Sequence, residues 1–311
     1  MRVALLQALG EAPRPAELPE PQAAEGLSIV EVRAAALNPI DLRIASGGWY
    51  GKTPPTPYVP GSEGVGVLPD GRRVRFAAPG NQGAFAERCA IDPDLAVELP
   101  DGLDDALAAC LGIAGLAAWL SLQWRARVQP GESVLVLGAS GPVGLIAVQA
   151  AKLMGAGRVV AAARSANGLE LAASLGADAT VDIAGTEDLA GAFREAAGGG
   201  VDVTIDPLWG APAAAAAAAA SKGGRLVQLG ESAGSEATLT SASVRGNMLS
   251  ILGYSNFDVP QEELADAYRQ LAAHAVAGRL KVEYDSYPLE RVEEAWERQR
   301  QGAHRKLVLT P

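Results

Sequence analysis

The chain has 311 residues, long enough for two domains that each bury a core. Its 36 acidic against 26 basic residues give a formal charge of −10, which argues against a nucleic-acid surface yet leaves room for a local basic pocket. Only two cysteines, Cys89 and Cys110, point to a reducing, cytoplasmic setting rather than a disulfide framework; the apolar start at Met1 is too short for a signal peptide, and no run is expected to reach the length of a membrane span.

Residues 1–112 read as β-rich and turn-rich. Residues 27–32 alternate in polarity, residues 61–68 form a short apolar run, and prolines cluster over 13–21 and 54–60. From 113 to 250 the pattern becomes strand, helix, strand. Strands are expected at 134–137, 159–163, 179–181, 203–206 and 225–229, and this succession implies an α/β fold with a right-handed, doubly wound parallel sheet.

The first of these strands runs into a glycine turn, Gly138-Ala139-Ser140-Gly141-Pro142-Val143-Gly144. This sequence fits the dinucleotide fingerprint, with alanine in its first glycine slot. Gly141 lets a diphosphate approach the backbone, Gly144 lets the next helix pack closely, and Pro142 suits a first helical turn because its missing N–H costs no internal bond. The free N–H groups and dipole of that helix favour an anion. The second strand ends in Arg164-Ser165, with no acid before Glu170. A carboxylate there would bond an unmodified ribose, whereas a guanidinium can hold a 2′-phosphate, so the residues favour NADP(H) over NAD(H).

Further on, eight alanines over 213–220 follow Pro212 and precede Gly223-Gly224; alanine propensity and the glycine stop make them a short packed helix without chemistry. The tail from 253 ends in an amphipathic stretch, 289–301, and a strand, 306–309, expected to return to the first domain.

Several ordered motifs together resemble the medium-chain dehydrogenase/reductase superfamily, and within it the zinc-free quinone oxidoreductases. They are Asn38-Pro39-Ile40-Asp41, Gly61-Ser62-Glu63-Gly64-Val65-Gly66, Gly83-Ala84-Phe85-Ala86-Glu87, the glycine turn, Leu175-Gly176-Ala177-Asp178, Gly223-Gly224-Arg225 and Lys306-Leu307-Val308. The resemblance implies a GroES-like β-rich domain over 1–112, completed by 251–311, and a Rossmann domain over 113–250, with substrate in the cleft between them. Zinc members carry a cysteine within the segment that is Asn38 to Asp41 here and a histidine at Ser62, so the resemblance implies no metal. It further implies hydride transfer from NADPH, in preference to NADH, to a small-molecule quinone or α,β-unsaturated carbonyl, by a homodimer joined near residues 238–253. Tyr50 falls near a tyrosine that serves as acid in enoyl reductases, Asn38 would lie beside the nicotinamide ribose, and Asp41 would act in catalysis or cap a helix. Glu63 would be a structural partner. Strand ends carrying Asp206, Leu208, Leu229, Gly230, Tyr254, Ser255 and Asn256 would line the nicotinamide. A lysine near Gly168 and a tyrosine near Ile183, common in such reductases, are missing, which leaves Arg164 to hold the phosphate with less help. Two alternatives stay open: an acyl-thioester enoyl reductase, and a non-catalytic NADP(H) sensor. The acceptor depends on the loop over 46–58.

Overall fold

The alternating segment after residue 27 becomes the longest strand of the chain, ten residues of which the last four are buried, as a strand covered on both faces requires. The computed structural model describes residues 1–51, 53–78 and 80–311; Lys52, in the loop singled out above, and Pro79 lie outside the described residues. The chain forms two units, Met1–Ile113 with Tyr268–Pro311, and Ala114–Ala267.

In the first unit the strands are β1 (Arg2–Leu5), β2 (Arg14–Glu17), β3 (Ser28–Leu37), β4 (Glu63–Val67), β5 (Arg73–Ala77), β6 (Arg88–Ile91) and β7 (Val97–Glu98), with helices α1 (Pro39–Ala45) and α2 (Asp105–Cys110). β3 pairs antiparallel with both β4 and β6. A core containing Leu6, Tyr58, Phe76 and Phe85 fills the space beneath, each such side chain contributing about 1.5–3 kcal/mol on burial. Contrary to the expectation that no run reaches membrane length, a helical stretch of 22 residues, Asp105–Ala126, is long and apolar enough. It behaves as a core helix, since 78% of its most apolar window is buried. The non-helical Gly112 (φ −65°, ψ −113°) kinks it after α2, and α3 (Leu116–Leu120) follows.

The second unit contains β8 (Ser133–Leu137), α4 (Pro142–Leu153), β9 (Arg158–Ala163), α5 (Ala166–Ser174), β10 (Ala179–Asp182), α6 (Leu189–Ala197), β11 (Val201–Asp206), α7 (Gly210–Ala219), β12 (Ala220–Gln228) and β13 (Ser250–Gly253). Its sheet has the order β10-β9-β8-β11-β12-β13, every neighbour parallel. The order reverses between β8 and β11, where open α/β sheets bind ligands at their carboxyl ends. Two expectations are corrected. The alanine helix ends at Ala219 and Ala220 is already extended (φ −60°, ψ 143°), because it pairs with Val201; Gly223 and Gly224 lie in a bulge of β12, not at a helix stop. β13 is the strand whose end was expected to carry Tyr254, and it extends the sheet to residue 253; the second unit runs on to Ala267, and the first resumes at Tyr268, within α8 (Gln261–Val276), where 251 was expected.

Last come β14 (Tyr284–Pro288), α9 (Val292–Arg300) and β15 (Lys306–Thr310). α9 buries Val292, Ala295 and Trp296, one stripe at helical spacing. β15 adds to the first unit antiparallel to β3, with Leu307 opposite Leu37, and β14 lies parallel beyond it. This return sets Lys306 beside the end of β3.

Candidate active site

In the second unit the fingerprint folds as a ligand turn. β8 is buried throughout and is followed by Gly138, whose φ of +63° suits glycine. Gly141 is the N-cap of α4, Pro142 its first residue, and no side chain caps this helix. A Cβ on Gly141 would meet only Gly138 O, at 3.6 Å, whereas one on Gly144 would lie 2.4 Å from Gly138 O and 2.6 Å from the Ala139 Cα. Gly144 is therefore fixed by helix packing, and Gly141 leaves the helix end open to an anion.

The neighbouring strand ends close around this turn. Leu208 Cδ2 and Pro207 Cγ stand 3.1 and 3.2 Å from where a Gly138 Cβ would be, and a Cβ on Gly230 would sit 2.6 Å from Pro207 O. Asp206 is fully buried; its Oδ1 accepts from Leu208 N and Trp209 N at 2.9 Å each, and Leu229 N donates to its carbonyl. The second carboxylate oxygen of Asp206 has no partner, and burial pushes its carboxyl above the usual range. Gly168, in the first turn of α5, would put a Cβ 2.3 Å from the Ser140 Cβ, so this helix and the glycine turn touch. Arg164 is exposed at the end of β9 and makes no hydrogen bond or ion pair among the described residues. Ser165 caps α5 by accepting from Gly168 N at 3.2 Å. An uncapped helix end, an uncommitted cation and an orphaned buried acceptor together fit a phosphorylated dinucleotide. Tyr254, Ser255 and Asn256, expected along the nicotinamide, also bond within the protein: Tyr254 OH donates to Asn256 Oδ1 at 2.6 Å and lies 3.3 Å from Leu116 O, and Ser255 Oγ accepts from Phe257 N.

The first unit holds a buried polar chain. Lys306 Nζ, 3% exposed, donates to Asn38 Oδ1 (2.7 Å) and Leu37 O (3.2 Å). Asn38 Nδ2 donates to Glu63 Oε1 (3.0 Å) and Ala36 O (3.1 Å). Glu63 Oε2 accepts from Arg75 Nη2 (3.3 Å) and Ile113 N (2.6 Å), and presses so close to Gly112 that a Cβ there would lie 1.7 Å away. Asn38 is also the N-cap of α1 in a capping box: Asp41, at the third position, accepts from Asn38 N (2.8 Å) through Oδ2. Asp41 Oδ1 accepts from Ser62 N (2.9 Å) and Ser62 Oγ (2.6 Å). Burial above all pushes the Asp41 carboxyl up to about 6, against the lowering effect of these bonds.

Of the three residues expected to act in catalysis, Asn38 and Asp41 are joined by a hydrogen bond, and Tyr50 makes none with them. Asn38, 1% exposed, spends both amide hydrogens and one acceptor site inside the protein, and Asp41 is a buried capping residue. Tyr50 is 81% exposed and meets the Trp49 ring, with centroids 5.9 Å apart. Lys306, quoted above only as part of a motif, Arg75 and Tyr58 were not among the expected site residues; the one signal was a lysine opening an otherwise apolar terminal strand. Among the described residues, no three His, Cys, Asp or Glu side chains group as metal ligands.

A GroES-like unit and a six-stranded parallel sheet with a fingerprint turn define the class of medium-chain dehydrogenases and reductases. Comparison with known proteins narrows this. Residues 24–101 match the family model of the alcohol dehydrogenase GroES-like domain, and residues 142–273 that of the zinc-binding dehydrogenase. The chain is 30% identical to human quinone oxidoreductase over 294 residues, 90% of this chain and 88% of that protein. It is 31% identical over 321 residues, 98% of this chain, to 8% of the Streptomyces venezuelae pikromycin polyketide synthase component PikAII. The crystal structure of the quinone oxidoreductase from Thermus thermophilus, also solved in complex with NADPH, superposes with a TM-score of 0.86 at 30% identity, covering 100% of both chains. The chain belongs to the medium-chain dehydrogenase/reductase superfamily, as a quinone oxidoreductase-like NAD(P)H-dependent oxidoreductase.

Proposed function

We propose that this chain reduces a quinone or an α,β-unsaturated carbonyl with NADPH, without a catalytic metal. The observation that carries the reading is how Asn38, Asp41 and Ser62 are used. They occupy the segments where zinc relatives keep a cysteine and a histidine, they offer neither thiolate nor imidazole, and they satisfy one another by hydrogen bonds. An acceptor that is already electrophilic needs no Lewis acid to take a hydride.

When bound, the dinucleotide supplies that hydride. The chain's own residues bind and orient it: the first turn of α4 takes the pyrophosphate, Arg164 takes the 2′-phosphate through paired N–H donors, and Asp206, Leu208, Leu229 and Gly230 shape the crevice at the sheet reversal. Binding at this crevice is measured by nucleotide fluorescence. Arg164→Ala should weaken NADPH by about tenfold or more and NADH little; equal weakening of both refutes the assignment. The match to a polyketide synthase component favours a second reading, an acyl-thioester enoyl reductase. A crotonyl thioester consumed far faster than 1,4-benzoquinone would select it.

The protein is further proposed to be a cytoplasmic homodimer. β13 is the last strand of its sheet and pairs only with β12 among the described residues, while nearby Met248 is 65% exposed and Ile251 39%. Sedimentation of the purified chain tests this.

A further inference from the structure

β11 ends in a turn whose backbone conformation a tryptophan resists. Trp209 stands at φ 57°, ψ −160°, close to the region that only glycine occupies freely, and Gly210 after it is also left-handed, at φ +66°. A residue in such a conformation persists only where its surroundings leave it no alternative. Here hydrogen bonds and packing do so. Asp206 Oδ1 accepts from Leu208 N and Trp209 N, both at 2.9 Å. Ala233 N donates to Leu208 O at 2.8 Å, and Pro207 O accepts from Ser232 N at 3.3 Å and from Ser232 Oγ at 3.1 Å. The Trp209 side chain packs against the core that contains Leu135, Leu137, Ala213 and Ala217.

The strain bears on the nucleotide crevice within the same unit. The turn carries Pro207 and Leu208, whose side chains lie 3.2 and 3.1 Å from the position of a Cβ on Gly138. Gly138 in turn opens the fingerprint: its carbonyl accepts from Gly141 N at 3.0 Å and leaves no room for a Cβ on Gly144. Relaxation of Trp209 to a negative φ rotates the peptide that joins it to Leu208, which draws Leu208 away from Gly138 and removes the wall on which the glycine turn is set. The N–H groups of Leu208 and Trp209 have one common acceptor, Asp206 Oδ1, on a side chain that is fully buried.

We propose that Asp206 is a positioning residue for the dinucleotide: by holding Trp209 in its strained conformation it keeps Leu208 against Gly138, and so sets the glycine turn for a pyrophosphate before the nucleotide arrives. This inference rests on the functional reading above, in which the first turn of α4 takes the pyrophosphate. Ordering the turn in advance raises affinity by removing that cost from the binding step. The pyrophosphate is common to both nucleotides, so Asp206 acts on NADPH and NADH alike, whereas Arg164 separates them.

Fluorescence titration of the purified chain with NADPH and with NADH, beside melting curves, tests this. Asp206→Ala should weaken both nucleotides equally, by about tenfold. Asp206→Asn, whose Oδ1 can still accept from both N–H groups, should recover most of that loss. Trp209→Gly added to Asp206→Ala should bind both nucleotides at least about threefold more tightly than Asp206→Ala alone, because glycine adopts the conformation without strain, even though loss of the indole lowers the melting temperature. A carboxylate that serves stability alone predicts the opposite, with binding falling as stability falls. Should Asp206→Ala fail to fold, Trp209→Gly and Trp209→Ala decide: both lack the indole, and the glycine variant should melt higher and bind both nucleotides more tightly. Wild-type affinity in Asp206→Ala, Asp206→Asn as weak as Asp206→Ala, a double variant no tighter than the single, or Trp209→Gly no better than Trp209→Ala overturns the proposal alone. Wild-type protein that binds neither nucleotide overturns the functional reading, and the positioning role with it.

Discussion

Glu63→Ala strikes the group on which the buried chain converges. Its two oxygens accept three bonds, from Asn38 Nδ2, Arg75 Nη2 and Ile113 N, and the side chain is 1% exposed. Removing it leaves the Arg75 guanidinium, 8% exposed and with its Nε already lacking a partner, without a counter-ion. It also strands an amide hydrogen of Asn38 and the backbone N–H at the Gly112 kink. Truncating one partner of a buried pair costs about 3–5 kcal/mol. For a unit of about 150 residues, each kcal/mol moves the melting temperature by roughly 2–4 °C, so the loss should be on the order of 10 °C. Calorimetry of Glu63→Ala beside Glu63→Gln checks this. The amide keeps one acceptor but turns an NH2 toward a donor, so it should fall between wild type and alanine. An alanine variant melting within about 2 °C of wild type refutes the view that this chain is desolvated and mutually dependent.

Two other expectations follow from the same geometry. Gly144→Ala places a methyl 2.4 Å from Gly138 O in a turn with no room to move, so it should destabilise the second unit by about 1–3 kcal/mol and weaken both NADPH and NADH; Gly141→Ala, which meets nothing closer than 3.6 Å, should fold normally in a melting assay yet still weaken nucleotide binding. Asp41 titrates near 6 in the folded protein, above its unfolded value, so its contribution to stability is complete below pH about 4 and is lost as pH rises through about 6. That shift corresponds to on the order of 3 kcal/mol, read as the change with pH in the urea-unfolding difference between wild type and Asp41→Asn; a difference constant from pH 4 to 7 contradicts it.

Local pattern made the second unit legible. Apolar runs separated by helical segments announced the parallel sheet, and the glycine spacing announced a turn whose Gly144 is sterically obligatory. The site in the first unit was far less legible, because it is made by contacts remote in the chain. Lys306 meets Asn38 across 268 positions, and Glu63 meets Ile113 across 50; no periodicity encodes either. Gly112 carried no signal in the sequence, and only the position of Glu63 explains it. β13 was legible only at its end, before Tyr254, because its four residues, mostly exposed at a sheet edge, carry no apolar alternation. Tyr50 was placed by analogy of position, and a loop's local sequence does not determine where its side chain points.

Anaerobic NADPH oxidation by metal-stripped protein tests the proposed metal-free hydride transfer most directly. With 1,4-benzoquinone, 9,10-phenanthrenequinone and a short enone as acceptors, NADPH should be consumed stoichiometrically with at least one of them, at a rate that chelator does not change and added zinc does not raise. Tight NADPH binding with no acceptor reduced, or turnover only after zinc is restored, contradicts the account.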